Sequence, residues 1–426
     1  MLNLKRKLFS LIIVIVIVTN MMIPSAILAS DLKPYTIVAL GDSITAGFEP
    51  DRELGFDTYG FVERLEEQGW FHNETKAINL GVVGLTSNGL LNYVTALQNG
   101  KVVTAESIQA NLNDDRIVEL AKGISTNRQK LIDADVITIT IGGNDLVQVI
   151  TRLKLSNLTQ FKSDVNAAIA AYKQNLQKII ETIYAINPTA KIVVADQYQP
   201  IPQKTVGFLY PFLQDSMKQF SESTETVASQ FRKNNRQVKV VHLANLFKGK
   251  ESVYTHIDTH RDIHPNQEGY QLIAKEISSL IWGNYLDTAG SKGKSPLAIV
   301  FRGHELKLTP VLSPLFANGV IYVPVSELIN GLGGSVGWKN TTKSISIQFE
   351  GKELLQEVTT MERTNHIEEQ DHALLIDSKN SKQGNKGEQG RQVKQGAITY
   401  ISLQWITEQL GLKMKYSDHM KTVFIF

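Results

Sequence analysis

Val38-Ala-Leu-Gly-Asp-Ser-Ile-Thr-Ala-Gly47 closes an apolar run, Tyr35 to Leu40, on an abrupt Gly-Asp-Ser turn. The run reads as a strand buried on both faces. Glycines beside the turn permit tight backbone. Ser43 therefore stands at the carboxyl end of a strand, a place from which a nucleophile can be presented. Gly-Asp-Ser is also ordinary turn chemistry, so its meaning depends on the rest of the chain.

Working outward, residues 35 to about 284 alternate strand and helix patterns. The further strands expected are Ala77–Val83, Val136–Ile141, Lys191–Ala195 and Val238–Leu243, most of them continuous Val- and Ile-rich runs. Between Asp164 and Asn187, apolar residues from Val165 and Ile169 to Ile183 and Ile186 recur every three or four positions, and Pro188 stops the pattern. That spacing predicts an amphipathic helix. A βαβ series of this kind implies an α/β domain with helices on both faces of an open parallel sheet. Ligands of such sheets sit beyond the carboxyl ends of the strands, where Ser43 and Asn144 both fall. The stretch between Val83 and Val136, with Leu90, Leu91, Tyr93, Val94, Leu97, Val102, Val103 and Ile108, reads as extra helices completing the core or as a wall over the site.

The whole chain excludes several classes. Its 426 residues allow two or three domains, and a net charge of +2 gives no field that points to nucleic acid. It has no cysteine, which removes a thiol nucleophile and a disulfide framework. Lys5, Arg6 and Lys7 precede the apolar run Leu11 to Val18, and small residues follow at Ser25, Ala26, Ala29 and Ser30. This order predicts a signal peptide over 1–30, cut near Ala29, and an exported protein. An uncleaved anchor is the alternative, but Thr19 and Asn20 interrupt a run already short for a span.

Four pieces of the first domain, 31–284, assemble into one chemistry. A serine hydroxyl is a poor nucleophile at neutral pH without a base. The candidate base is His264, in Asp262-Ile-His-Pro-Asn266, held just before a helix that Asn266 caps. Acyl transfer also needs donors aimed at the developing oxyanion. Gly84, in Gly81-Val-Val-Gly84, offers its backbone N–H, and Asn144, in Gly142-Gly-Asn-Asp145, offers its side-chain amide. Each motif alone is weaker than a plain turn; in this order on one strand framework they reinforce one another.

These four blocks resemble the SGNH hydrolases, also called the GDSL esterase/lipase family. The resemblance implies a three-layer α/β/α domain around a parallel sheet of about five strands. It also implies a serine mechanism without metal or other cofactor. Ser43 would attack an ester carbonyl and His264 would take its proton and later activate water. The N–H groups of Ser43 and Gly84 and the amide of Asn144 would bind the oxyanion. In one respect the chain departs from the family, whose acid usually lies three residues before the histidine. Arg261 occupies that position here. Asp262 is the favoured orienting acid; Asp258, or a backbone carbonyl in a Ser-His dyad, stays open.

A polar Gly/Ser/Lys segment, 285–296, reads as a linker. Beyond it, 297–426 contains an internal repeat. The stretch from Tyr322-Val-Pro-Val to Trp338 aligns without gaps with the stretch from Tyr400-Ile-Ser-Leu to Tyr416. Each copy reads strand, short helix, strand, turn, strand, and a polar stretch between them, 365–395, reads as a flexible loop. This region is similar to the repeat domain named after the N-terminal domain of copper amine oxidases. Copper is not implied: His304, His366, His372 and His419 lack metal-ligand spacing. Tyr322, Trp338, Trp405 and Tyr416 are expected in its core. Gly333-Gly-Ser-Val-Gly337 matches a nucleophile-elbow pattern, but it lies in this repeat and reads as a glycine-rich turn.

The expectation is an exported bacterial esterase, a GDSL-type carboxylic ester hydrolase, with a smaller β-rich domain. Its substrate would be a small-molecule, glycan or lipid ester, with association with the cell wall in view. The alternative is a non-catalytic surface protein on the same scaffold.

Overall fold

A computed structural model of the chain describes residues 33–55, 57–150, 158–307, 314–317, 319–342, 344–357, 392–395 and 398–426. The expected signal peptide lies outside them. Among the described residues no helix is long and apolar enough to cross a membrane. The described residues from Pro34 to Phe426 fall within one compact unit.

Its first part is built on an all-parallel sheet of β1 (Tyr35–Gly41), β2 (Thr75–Gly81), β3 (Val136–Thr140), β4 (Lys191–Ala195) and β5 (Val238–Val241), in the order β2-β1-β3-β4-β5. The two-residue period of a strand sends alternate side chains to opposite faces. Val38 and Leu40 of β1, Ile137 and Ile139 of β3 and Ile192 and Val194 of β4 join one core. Ile37 and Ala39 of β1, Val136 of β3 and Val193 and Ala195 of β4 join the other. Helices Ser87–Asn99 and Leu158–Ile186 cover the first face, and helices Phe61–Gly69 and Gln267–Trp282 the second. This is the three-layer arrangement the apolar runs imply. The helix expected from Asp164 begins at Leu158, because Phe161 extends the buried stripe by one turn.

In this strand order the direction of winding reverses between β1 and β3, which opens a crevice at their carboxyl ends. The stretch between β2 and β3 completes the core: Leu90, Tyr93, Val94, Leu97 and Ile108 are buried. Val102 departs from expectation. It lies beyond Gly100, which caps the Ser87–Asn99 helix in the left-handed region, and stands in solvent.

The second part is β-rich. β6 (Ala298–Phe301) and β7 (His304–Glu305) join β15 (Met414–Ser417) and β16 (Thr422–Ile425) in the order β15-β16-β6-β7. A second sheet takes β8 (Leu315–Ala317), β9 (Val320–Pro324), β13 (Gln392–Gln395) and β14 (Ile398–Ser402) in the order β13-β14-β9-β8. A third runs β10 (Ser335–Lys339), β11 (Ser344–Phe349) and β12 (Lys352–Glu357). The two repeat copies correspond element by element: β9, helix Val325–Gly331, β10 and β11 against β14, helix Leu403–Leu410, β15 and β16.

Three readings of this part change. Residues 365–391 of the polar stretch lie outside the described residues, and its end, Gln392–Gln395, is a strand because its backbone pairs with β14. Trp338 is largely exposed: it stands on edge strand β10, and its indole N–H donates to Asn340 rather than entering the core. Tyr322 is buried, while Trp405 and Tyr416 pack partly buried against the core. The segment read as a linker is pinned. Gln68 exchanges hydrogen bonds with both backbone groups of Leu286, and Thr288 bonds to Thr422. Ser335 opens β10 of a hairpin, not a strand-to-helix elbow.

Candidate active site

Ser43 follows β1 as the first residue of a one-turn helix, Ser43–Ala46. Asp42 caps that helix, accepting from the Ile44 N–H at 3.1 Å. Its carboxylate also accepts from Thr140 Oγ1 at 3.0 Å, tying the turn to the end of β3. Burial pushes the Asp42 carboxyl up to about 7 against these bonds. Gly41 permits the turn: a Cβ there would lie 2.1 Å from the Thr140 carbonyl oxygen. The Asp of Gly-Asp-Ser thus acts as a cap, which its place before a short helical run could have signalled.

His264 reaches Ser43 from the far end of the domain. Its Nε2 lies 2.8 Å from Ser43 Oγ, and its Nδ1 lies 2.7 Å from Asp262 Oδ1. The same Asp262 oxygen accepts the backbone N–H of His264 at 2.8 Å. The network assigns Nδ1 as the protonated nitrogen and leaves the Nε2 lone pair for the hydroxyl. Burial works to raise the Asp262 carboxyl, but the His264 bonds and charge outweigh it and hold it below the usual carboxylate range. Arg261, at the position the family pattern gives to the acid, adopts a left-handed φ of 55°. That turn brings Asp262, two residues before the ring, round to it. Asp258 is engaged elsewhere, accepting from Lys204 at 2.9 Å on the surface.

The histidine loop is held on several sides. Thr255 and Pro265 form an antiparallel bridge, and the His256 N–H donates to the His264 carbonyl at 3.0 Å. Tyr198 Oη donates to the Ile263 carbonyl at 2.9 Å. Asn266 caps the Gln267–Trp282 helix, accepting from Gly269 N–H. Phe48 packs edge-on against the His264 ring, centroids 4.6 Å apart. Sequence reasoning missed Phe48, Tyr198 and His256, since contacts across distant loops leave no local pattern.

Gly84 and Asn144 line the same cavity as Ser43 and His264. Gly84 has φ 83°, a conformation glycine adopts without strain. The Asn144 amide donates to the Leu85 carbonyl at 2.9 Å, which joins the two loops. Asp145 locks the same junction, accepting from the Ser87 N–H and hydroxyl at 2.9 and 2.5 Å. The cavity holds about 380 Å³ and is walled mainly by apolar side chains, among them Val83, Leu146, Ile201, Leu213 and Met217. A serine whose proton can pass to an oriented imidazole, beside donors and an apolar recess, is equipped for acyl transfer. Among the described residues no group of three or more His, Asp or Glu side chains is placed to hold a metal ion.

Comparison with known proteins gives matches over both parts of the chain. Residues 37–277 match the family model for GDSL-like lipase/acylhydrolase, and residues 301–425 match that for the copper amine oxidase N-terminal domain. The uncharacterized protein YpmR of Bacillus subtilis is 26% identical over 254 residues, 58% of this chain and 80% of that protein. The spore germination lipase LipC of Bacillus licheniformis is 25% identical over 261 residues, 58% of this chain and 95% of its own length. Among solved structures, the lipase Lip_vut3 from a goat rumen metagenome aligns at TM-score 0.39 and 23% identity, covering 58% of this chain and 97% of its own.

Proposed function

Because the chain belongs to the GDSL-like lipase/acylhydrolase family, we propose that it is a serine carboxylic ester hydrolase worked by Ser43, His264 and Asp262. The observation that carries this reading is the hydrogen-bonded line Ser43–His264–Asp262, whose Ser43 and His264 line an apolar cavity. Ser43 Oγ attacks the ester carbonyl while His264 Nε2 takes its proton. The imidazolium then returns the proton to the leaving alcohol, and an acyl-serine remains. Water attacks that ester with His264 again as base, releasing the acid and restoring Ser43. Asp262 keeps the imidazole in the productive tautomer and stabilises its cation.

The backbone N–H groups of Ser43 and Gly84 and the second N–H of the Asn144 amide serve the oxyanion. Ser43 N–H belongs to the first turn of a helix, where backbone donors lack intrahelical acceptors. The apolar recess favours an acyl group of several carbons over acetyl, since each methylene buried contributes about 0.8 kcal/mol. The charged-apolar-small order of the first thirty residues supports work outside the cell, and the repeat domain supports attachment near the wall.

The test is hydrolysis of p-nitrophenyl acetate, butyrate and octanoate by the mature chain and by Ser43→Ala. The reading expects kcat/KM to rise from acetate to the longer esters. It also expects Ser43→Ala to lose activity on the order of 10⁴-fold or more. Turnover indifferent to Ser43→Ala would remove the nucleophile. No turnover by a folded wild-type chain on any ester would favour the non-catalytic surface protein.

A further inference from the structure

The repeat domain touches the machinery that holds His264. The His419 ring, in the β15–β16 turn, stacks face to face on Tyr59, centroids 3.4 Å apart and planes within 10°. Ser417 donates to Glu67 at 2.5 Å, and Tyr59 Oη donates to the other oxygen of the same carboxylate at 2.6 Å. The Arg64 guanidinium lies 3.9 Å from the Tyr59 ring centroid. It donates to the carbonyls of Tyr59 and Gly60 and to Gln267 Oε1. Gln267 donates to Glu49, and Glu49 bonds to His256 at 2.9 Å. The His256 N–H holds the carbonyl of His264.

Every charge along this line is buried: Glu49, Arg64 and Glu67 are 4, 6 and 7% exposed. A buried charge deprived of a partner is costly, so each link has strong reason to keep its geometry. The apolar neighbours point the same way. Trp70 and Phe71 end helix Phe61–Gly69 and pack against Val300, Met420 and Phe424 of the repeat domain. Without that domain, two large aromatic side chains and the Glu67 carboxylate would face water. This face of the hydrolase part is built to be covered.

We propose that the repeat domain is a working part of the hydrolase site, with Ser417 and His419 as positioning residues for His264. They act through Tyr59 and Glu67 on the Arg64–Gln267–Glu49–His256 line and set where the imidazole stands. The inference rests on the serine esterase reading above.

The test uses the full-length chain with His419→Ala, Ser417→Ala and His419→Phe, beside wild type and Ser43→Ala. Active sites are counted by the p-nitrophenolate burst with diethyl p-nitrophenyl phosphate. Turnover of p-nitrophenyl butyrate is then expressed per counted site, and thermal melting reports folding. Small misplacement of a catalytic group costs up to about 10²-fold, so His419→Ala and Ser417→Ala should lower kcat per site by about tenfold or more. KM should stay within about twofold, since the acyl cavity is untouched. The phosphorylation rate of Ser43 should fall in parallel with kcat, and His419→Phe, which keeps a flat stacking ring, should restore most of both.

A plain stabilising role predicts something else: fewer countable sites or a lower melting point, with kcat per site unchanged. That result, in a chain whose wild-type turnover depends on Ser43, overturns the inference alone. Wild-type turnover that survives Ser43→Ala overturns the esterase reading and the inference with it. If His419→Ala does not fold, Ser417→Ala and His419→Phe decide the matter by the same per-site measure.

Discussion

The sheet carries two clusters of serine, histidine and aspartate, and they are wired differently. In the first, His264 stands between its partners, Nε2 on Ser43 and Nδ1 on Asp262. In the second, Asp196 stands at the centre. Ser221 donates to its Oδ2 at 2.5 Å, and His242 Nδ1 lies 3.1 Å from the same oxygen and 3.1 Å from Ser221 Oγ. Asp196 follows β4 and His242 follows β5, so both clusters sit at the carboxyl end of the sheet. The second even borders an open groove of about 850 Å³, and Met217 lines both this groove and the apolar cavity. Yet the network assigns a proton to Nδ1, held by the carboxylate, and the Ser221 hydroxyl donates to the same carboxylate. No imidazole lone pair faces the hydroxyl. The contrast teaches that a nucleophile is made by the order of the hydrogen bonds, not by the residues present.

The comparison can be broken from either side. The largest effect after loss of Ser43 itself is expected at Asp262. Asp262→Asn should lower kcat on the order of 10³–10⁴-fold, because the amide favours the wrong tautomer. Asp258→Asn, which loosens only surface contacts to Lys204 and Ser252, should change it by less than about twofold. Equal losses in esterase assays would remove Asp262 from its role. Next, Asn144→Ala should cost about 10²–10³-fold in kcat, the usual effect of one oxyanion donor. A change confined to KM would make Asn144 a binding residue.

In the second cluster the expected order is reversed, with stability affected before catalysis. Asp196 is fully buried and accepts from Ser221, His242 and the Ala244 N–H. Asp196→Asn should therefore destabilise by about 1–3 kcal/mol in denaturant titrations, while kcat per active site holds. Ser221→Ala should leave ester turnover within about twofold. A large loss there would mean that the second cluster takes part in catalysis after all.

The smallest effect is in pH dependence. The hydrogen bond that His242 donates to Asp196 raises His242 above the ordinary histidine value of 6.5. A raised histidine contributes stability that is fully present below its unfolded value and is lost as pH rises through the folded one. Melting temperatures measured upward from about pH 6 should show that loss in wild type and not in His242→Gln. The side chain is 43% exposed, so the slope is small. A wild type and variant that fall in parallel would detach His242 from Asp196.

The two clusters also mark how far sequence carries. The five strands were legible because both faces of each are buried, which leaves unbroken apolar runs. Ser43 and His264 were legible because each sits at a strand or helix end with a distinctive local motif. Asp262 was legible as the favoured acid, with Asp258 and a backbone carbonyl still open. The choice depends on the left-handed turn at Arg261, which no spacing rule anticipates. Asp196, Ser221 and His242 had no motif at all. Ser221 lies in a polar helical stretch, and its partners follow two separate strands. The stack of His419 on Tyr59 was hidden for the same reason: it joins residues from opposite ends of the sequence, and periodicity speaks only of neighbours. Trp338 shows the converse error, an aromatic residue in an aligned repeat whose strand happens to lie at an edge.

The closing strand of the repeat domain bears on timing. β16 pairs in parallel with β6, so Thr422 lies beside Ala298 and the sheet joins the two ends of that domain. Such a pairing is non-local, and non-local contacts form late because the loop between them must close first. The βαβ part can collapse as its residues emerge from the ribosome, whereas the β15–β16 turn gains its place only after β16 has found β6. Between those events Trp70 and Phe71 await their cover, a window in which apolar surface invites association with other chains. The order of synthesis thus separates a collapsed hydrolase from a finished one.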